Sequence, residues 1–256
     1  MTAKTHKQFA ICWVYLGAIF IYNNNISEVN YYLMVAIMIA FGEAGALFPD
    51  IDHTWRNVKD KTTVKWILNK IIHATGGRHR SWQTHSWDIC ILFTGFCYLS
   101  SISMYDKGIL TKTNFEVLNI ITSGFNLGWI SHLFSDMLTS SGVRIFSFSS
   151  KKVALVPKYV SRTKLLVMSI GLTLLGAVAI GFNFNVGWLI ILVGLWMCYL
   201  AIKLGNIRFN TGKEWEAFVY KVTKTINRLA GILVLVYPIL DDVDIKEVLV
   251  SLIGKG

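Results

Sequence analysis

The chain has 256 residues, of which 54% are apolar and only 16% are charged. Soluble domains carry about a quarter charged residues, so this composition excludes an ordinary soluble enzyme. The formal net charge of +10 invites a nucleic-acid-binding interpretation, but the distribution of the basic residues has another cause.

Apolar runs of bilayer-spanning length, about 17–25 residues, recur along the chain. They predict membrane helices near residues 8–22, 30–49, 86–104, 115–135, 164–182 and 185–202. The first run lacks a small-residue cleavage site, which favours a retained helix over a cleaved signal. The predicted fold is all-α: a polytopic membrane protein with about six transmembrane helices and amphipathic helices on its cytoplasmic face. Residues 1–202 would form the membrane domain, and 203–256 a tail packed on the cytoplasmic face.

Basic residues are sorted to one side of this predicted topology. The connections at 23–29, 105–114 and 183–184 share one side and contain only Lys107 and Lys112, whereas the other 23 of the 25 Lys and Arg lie opposite. The positive-inside rule makes the basic side cytoplasmic, with both termini on it. The excess charge is therefore mainly topological, although it would also attract anionic lipid headgroups.

Three long segments connect or follow the helices on the cytoplasmic side. Within 50–85, apolar residues at helical spacing predict an interfacial amphipathic helix that ends at Gly76-Gly77. Residues 136–163 predict a short hairpin. The tail has a capping-box pattern, TGKE, at 211–214 and predicts a helix. Its apolar run at 231–240 either extends that helix or dips into the bilayer.

All six histidines fall at or near the cytoplasmic face, at positions 6, 53, 73, 79, 85 and 132. The bilayer gives no reason to sort neutral histidine in this way, whereas a shared site does. His6 precedes the first predicted helix, and alone it is only a terminal histidine. His73 lies in the amphipathic helix and is left out of the candidate site.

The stretch GWISHLFSD places His132 and Asp136 one helical turn apart. Positions i and i+4 share a helix face, so both side chains can reach one ion. The alternative is a structural pair in which the aspartate orients the histidine.

The stretch FPDIDH at 48–53 supplies Asp50, Asp52 and His53 at a predicted helix end. Because Pro49 favours leaving the helix, an extended backbone would point both carboxylates the same way. Two such carboxylates repel unless they are solvated or bridged by a cation. A solvated polar loop is the alternative interpretation.

The stretch GGRHRSWQTHSWD contains His79 and His85, with Arg78 and Arg80 flanking the first. Histidine and carboxylate ligands together are typical of hydrolytic metal sites that use bound water. Arginine beside them suits a phosphate, which it contacts through two parallel hydrogen bonds. The alternative is a basic loop in contact with the membrane. Asp88, near the start of the third predicted helix, is a candidate for orienting a ligand histidine.

The motifs GALFPDIDH, HRSWQTHS, GWISHLFSDMLTSSGV and LVP follow one another in an order that resembles the bacterial inner-membrane metal-dependent hydrolases, a family also described as LexA-binding. The resemblance covers about residues 5–160. It implies a multi-pass protein of the bacterial inner membrane. More remotely, that family is similar to zinc-dependent phospholipase C and single-strand nucleases. The similarity implies metal ligands at His6, Asp50, His85, His132 and Asp136.

Together these patterns predict a membrane-embedded hydrolase with one or two divalent ions, zinc first and manganese as the alternative. Its metal ligands would come from His6, Asp50, His53, His85, His132 and Asp136. Asp52 or His79 would act as general base or acid, with both also open as ligands or ligand-orienting groups. Arg78 and Arg80 would bind the anionic group of a phosphoester, in a lipid headgroup or a nucleotide-like substrate.

Two other functions stay open at this point. One is a non-catalytic membrane regulator with a structural metal, whose basic face binds a cytoplasmic protein or nucleic acid. The other is an ion transporter, which the clustering of acids and histidines at one face disfavours, because transporter sites usually lie near the bilayer midplane.

Overall fold

The structure is a computed structural model that describes residues 2–24, 26–58, 61–78, 80–139, 141–154, 159–160, 170–171, 173–174, 194–195, 207–208 and 212–241. These residues are mostly helical, as predicted. Among the described residues, the longer helices follow in chain order: α1 (Ala3–Asn23), α2 (Tyr31–Leu47), α3 (Thr63–Ala74), α4 (Trp87–Asp106), α5 (Lys112–Met137) and α6 (Gly212–Asp241).

The first four predicted membrane helices correspond to α1, α2, α4 and α5. Within the described part of the chain, two stretches are long and apolar enough to cross a membrane, Tyr31–Asp52 and Trp87–Asp106. The predicted helices at 164–182 and 185–202 lie almost entirely outside the described residues. Six membrane passages and cytoplasmic termini therefore stay predictions.

Helix α1 begins earlier than its apolar run indicates. The side chain of Thr2 caps the helix by accepting a hydrogen bond from the Thr5 backbone, so the first turn forms at Ala3 rather than near residue 8. The expectation that His6 precedes the helix was wrong. His6 instead lies within α1 and is 2% exposed.

Helices α2 and α5 approach each other through glycines. A Cβ atom added at Gly128 would lie 2.0 Å from the carbonyl oxygen of Gly42, and one added at Gly45 would lie 2.0 Å from that of Phe125. Small residues at such contacts allow close backbone approach, which is typical of membrane helix pairs. This packing brings the end of α2 beside the C-terminal half of α5.

The segment after α2 forms a 3-10 turn over Pro49–Asp52, so the expected extended backbone was wrong. As a result, Asp50 and Asp52 face different partners. Helix α3 holds this turn in place, because Asn69 donates from Nδ2 to the carbonyl oxygens of Ile51 (2.5 Å) and His53 (2.8 Å).

The predicted amphipathic helix is α3. Asn69 and Ile72 are buried on its inner face, whereas Val64, Ile67 and Ile71 are 46–66% exposed. Beyond its end, Gly76 adopts a φ of +80°, a conformation that favours glycine after a helix.

The predicted hairpin is present, because β1 (Val143–Arg144) pairs antiparallel with β2 (Lys152–Val153). A second short pair joins β3 (Tyr159–Val160) to β4 (Ile207–Arg208) and was not predicted. Residues 231–240 belong to α6, which continues through Pro238. The first residue of the predicted capping box, Thr211, lies outside the described residues.

Several hydrogen bonds anchor helix α6 to α1, α2 and the end of α5. The indole Nε1 of Trp215 donates to the carbonyl oxygen of Leu138 over 2.8 Å. Asn227 donates to the carbonyl oxygen of Gln8 in α1 over 2.7 Å. The tail therefore packs against α1 and the end of α5.

Candidate metal centre

Three buried histidines from separate parts of the chain meet where α1, α2 and α5 come together. His6 is on α1, His85 lies just before α4, and His132 is on α5; each is no more than 2% exposed. Asp136, on the next turn of α5, is 1% exposed. The sequence motifs predicted that these side chains share a site, and the fold brings them together.

Each of the three imidazoles has its Nδ1 atom engaged by the protein. His132 Nδ1 lies 2.6 Å from the carbonyl oxygen of Ala46, which can only accept, so Nδ1 carries the proton. His85 Nδ1 lies 2.9 Å from Asp52 Oδ2. His6 Nδ1 lies 2.5 Å from Ser135 Oγ, whose own hydrogen goes to a backbone carbonyl. In the neutral form of each ring, the Nε2 atom is thereby left with the lone pair that can bind a metal ion.

These Nε2 atoms converge on the carboxylate of Asp136. The distance from Nε2 to the nearer carboxylate oxygen is 3.6 Å for each of His6, His85 and His132. The Nε2 atoms of His85 and His132 are themselves 3.2 Å apart. Ligands that each lie about 2.0–2.2 Å from one zinc ion are separated by distances of this order. The geometry therefore suits a shared cation.

The ligand atoms form two overlapping groups, and within each group they lie within 4.8 Å of one another. One group consists of His6, His132 and Asp136, and the other of Asp50, His85 and His132. His132 belongs to both, and its Nε2 atom lies 4.0 Å from Asp50 Oδ1. The arrangement can hold one ion or two neighbouring ions that share this histidine.

Asp52 supports the centre from behind His85. It is fully buried, and besides His85 it accepts hydrogen bonds from the Ser81 backbone (3.1 Å) and Thr84 Oγ1 (2.7 Å). Carboxylates that bind the far nitrogen of a metal-ligating histidine fix its tautomer and orientation. Burial lowers the pKa of His85 below the ordinary histidine value, although the hydrogen bond to Asp52 acts in the opposite direction. Burial therefore favours the neutral form of the His85 ring.

Arg80 closes one side of the centre. Its guanidinium donates to Asp136 Oδ1 over 3.1 Å and to Thr139 Oγ1 over 3.2 Å. Its backbone has a φ of +60°, and no other non-glycine residue in the described part of the chain has a positive φ. Such a conformation is uncommon for a residue with a side chain, so the loop is held here against its local preference.

The remaining candidates lie around this core or away from it. His53 is outside both ligand groups, with Nε2 3.8 Å from Asp50 Oδ1 and its side chain 31% exposed. Arg78 is exposed. His79 lies outside the described residues. Asp88 was expected to orient a histidine but instead accepts hydrogen bonds from Ser147, through the backbone (2.8 Å) and the hydroxyl (2.7 Å).

Sequence reasoning missed the small polar groups that support the ligands. Ser135 binds His6, and Thr84 binds Asp52. Both are neighbours of a ligand, in HLFSD and in THS. A hydroxyl beside a ligand is the signal that points to them, but hydroxyl residues are too common for it to be decisive. The Ala46 carbonyl, which accepts a hydrogen bond from His132, is a backbone group, so the residue type at position 46 does not indicate this role.

No solved structure matches the chain. A relative in Bacillus subtilis strain 168, the uncharacterized protein YvsG, is 30% identical over 177 residues, which cover 68% of this chain and 91% of the relative. The family model described as YdjM inner membrane protein matches residues 1–207, a span that contains every candidate site residue. The chain therefore belongs to the YdjM inner membrane protein family.

Proposed function

We propose that this protein is a metal-dependent hydrolase that acts on phosphoesters at the cytoplasmic face of the inner membrane. The observation that carries the proposal is the convergence of three histidine Nε2 atoms on Asp136. Arg80 pairs with Oδ1 of Asp136, and a cation among the three Nε2 atoms would also stabilise Oδ2 and the lone pairs that face it.

The proposed ligands are His6, His85, His132, Asp50 and Asp136. Mixed imidazole and carboxylate donors suit zinc, with manganese as the alternative. When bound, such an ion lowers the pKa of a coordinated water to near 7 and so supplies a nucleophile. We assign one or two ions to the centre because its two ligand groups share His132.

The surrounding residues take the other roles. Asp50 and His53 are more exposed than the rest, at 23% and 31% of their side chains, so they form the side from which substrate approaches. We assign proton transfer to His53 or His79. Asp52 is fully buried, which supports a role in orienting His85 rather than in acid–base chemistry. Arg80 lies beside Asp136, where a guanidinium can bind a substrate phosphate.

A lipid headgroup is the substrate that fits the surroundings best. Residues 54–80 contain seven Lys or Arg and one Asp, a net charge of +6. Helix α3 presents Val64, Ile67 and Ile71 outward, as expected of a helix lying in a bilayer surface. Since Asn69 joins this helix to the turn that carries Asp50, an anionic phospholipid bound at α3 would lie close to the metal centre.

Elemental analysis of the purified protein and a phosphoester assay together test this proposal. We expect one or two zinc or manganese ions per chain, and hydrolysis of a soluble phosphodiester or of phosphatidylglycerol vesicles that a chelator abolishes. His132→Ala should lose both the metal and the activity. His73→Ala is the matched control, since His73 is exposed, belongs to neither ligand group and contacts the backbone carbonyl of His53 rather than a ligand side chain. Normal metal content in His132→Ala would refute the site.

The burial of the ligands also supports a second candidate function. Closed metal sites without an open position are usually structural, and His6, His85, His132 and Asp136 are almost completely buried. The protein would then be a non-catalytic regulator whose basic face binds a cytoplasmic protein or nucleic acid. Stoichiometric metal without hydrolysis of any phosphoester, and partner binding that is lost with the metal, would favour this function.

A further inference from the structure

A cavity of about 480 Å³ lies between α1, α4 and α5, away from the metal centre. Along α5 its lining extends from Phe115 to Ile130. With a rise of about 1.5 Å per residue, its innermost polar residue, Asn126, lies about 9 Å along the helix from His132. No ligand of the metal centre lines the cavity, so it is a separate feature of the molecule.

Most of the cavity wall is apolar. Phe20 and Ile26 form part of the wall and are 53% and 56% exposed, so they stand where the cavity meets its surroundings. Ligand pockets in proteins are typically about 300–1,000 Å³, mostly apolar, with a few polar groups that orient the ligand. The size and lining of this cavity match that description.

A polar stripe runs along the α5 side of the wall. Its members recur at helical spacing: Glu116, Asn119, Ser123 and Asn126. The first three are hydrogen-bonded within the protein. Glu116 accepts from the hydroxyl of Ser27, Asn119 Oδ1 accepts from the hydroxyl of Ser101, and the hydroxyl of Ser123 bonds that of Tyr98.

Asn126 is the exception in this stripe. It is 3% exposed, and neither Oδ1 nor Nδ2 has a hydrogen-bond partner in the part of the chain that the structure describes. Buried polar groups are almost always satisfied, and each unpaired one is destabilising. An amide with both its acceptor and its donors unpaired is complementary to a ligand group that donates and accepts at once. Hydroxyl and carboxamide groups have this property.

The charges in the wall set the class of ligand. The described lining contains one carboxylate, Glu116, and no Lys, Arg or His. A phosphate or a fatty-acid carboxylate would find no cation here and would meet a like charge. An anionic ligand is therefore disfavoured. Because Glu116 already accepts hydrogen bonds from the Ser27 hydroxyl and the Glu28 backbone, we take the ligand to be uncharged rather than cationic, with an apolar body that fills the rest of the cavity.

We propose that this cavity binds a neutral membrane lipid, an acyl-chain amphiphile whose free hydroxyl is held by Asn126. The hydrocarbon chain lies along the apolar wall and leaves past Phe20 and Ile26 towards the bilayer. Monoacylglycerols and diacylglycerols have this chemistry. The inference does not depend on the hydrolase proposal, since the two sites share no residue.

Photolabelling of the full-length protein in lipid nanodiscs tests the proposal. A diazirine-bearing monoacylglycerol should label peptides that line the cavity on α4 or α5, and unlabelled monooleoylglycerol should compete. Asn126→Leu should reduce this labelling about tenfold, as expected for the loss of two hydrogen bonds to the ligand. Asn114→Leu is the matched control, since Asn114 is exposed on α5 and does not line the cavity.

Thermal unfolding distinguishes the loss of lipid binding in Asn126→Leu from misfolding of that variant. Without added lipid, Asn126→Leu should melt at or above the temperature of the natural protein, because an unpaired buried amide is gone. With monooleoylglycerol, only the natural protein should gain stability. Equal labelling of Asn126→Leu and the natural protein would overturn the proposal. Equal labelling by a diazirine fatty acid would overturn its restriction to neutral lipids.

Discussion

Asp52 accepts the Nδ1 hydrogen of His85 over 2.9 Å, and this hydrogen bond turns Nε2 of His85 towards His132, 3.2 Å away. Asp52 is therefore coupled to the proposed metal ion without touching it. Ser81 and Thr84 fix the carboxylate in turn. Two residues of the loop before α4 thus help to orient the Nε2 atom of His85 through Asp52.

Asp52→Asn is predicted to weaken metal binding without abolishing it. An asparagine keeps the shape of the side chain but lacks the negative charge that favours the correct tautomer of His85. Loss of such a supporting partner usually costs about 10–100-fold in metal affinity. Competition with a zinc-chelating dye measures this change, and Asp136→Ala in the same assay should show no retained metal.

Asp88→Asn provides the comparison for that measurement. Asp88 is also hydrogen-bonded, although it is only partly buried, but its partner is Ser147, and it belongs to neither ligand group. Its zinc affinity should equal that of the natural protein. If both asparagine variants bound zinc equally well, Asp52 would have no role at the centre.

Removal of the metal is predicted to lower thermal stability. An ion that binds only the folded state stabilises it by about 2.7 kcal/mol when its free concentration is 100 times the dissociation constant. For a protein of this size, that corresponds to a rise of about 5–10 °C in the melting temperature. Differential scanning fluorimetry in detergent, after chelation and after zinc is restored, measures the shift.

The same experiment on His132→Ala separates this effect from nonspecific zinc binding. His132 belongs to both ligand groups, so its loss should remove the zinc-dependent part of the stability. A zinc-induced shift as large in this variant as in the natural protein would contradict the assignment.

Helices α1 to α5 and the proximity of His132 and Asp136 were predictable from the sequence, since apolar run length and the i, i+4 spacing of these two residues carry information that is local in the chain. The family resemblance added His6, whose place in the fold was nevertheless misjudged. The apolar run predicts that α1 starts near residue 8. The N-cap at Thr2 instead starts the helix at Ala3, so His6 lies within the helix and faces the metal centre. A single hydroxyl residue that could cap a helix predicts the helix start less strongly than a long apolar run does.

The backbone around Asp50 and Asp52 was not accessible in the same way. Proline before a short polar segment is compatible with an extended strand or with a 3-10 turn. The choice is made by Asn69, sixteen residues beyond His53, which binds two carbonyl groups of the turn. That contact depends on where α3 packs, which the sequence pattern of α3 alone does not define.

Replacement of Arg80 tests the strained backbone at that position. A residue other than glycine at positive φ is disfavoured by about 1–2 kcal/mol. Arg80→Gly should therefore be more stable than Arg80→Ala, by roughly 2–8 °C in melting temperature. Both variants should retain bound metal and lose phosphoester hydrolysis, because both lack the guanidinium.

The same pair of substitutions at Arg78 serves as the control. Arg78 is exposed, and its φ is not positive, so glycine there should be no more stable than alanine. Equal stability of the two Arg80 variants would show that the conformation of this loop is not maintained when the side chain is removed.

Gly128→Ala is predicted to disrupt the metal centre through the packing of α2 on α5. The added Cβ would lie 2.0 Å from the carbonyl oxygen of Gly42 and 2.8 Å from the Ala46 nitrogen. Both contacts are to backbone, so the helices must separate. Separation would move Asp50 and the Ala46 carbonyl away from His132, and we expect lower thermal stability together with loss of bound zinc.

Gly95→Ala distinguishes this effect from a general response to glycine replacement in a membrane helix. A Cβ atom at Gly95, on α4, would meet nothing within 4 Å among the described residues. Alanine is favoured over glycine in a helix by about 0.5–1 kcal/mol, so this variant should be as stable as the natural protein or more so, and keep its zinc. If Gly128→Ala also kept full zinc content and stability, the close approach of α2 and α5 would not be what holds Asp50 and His132 together.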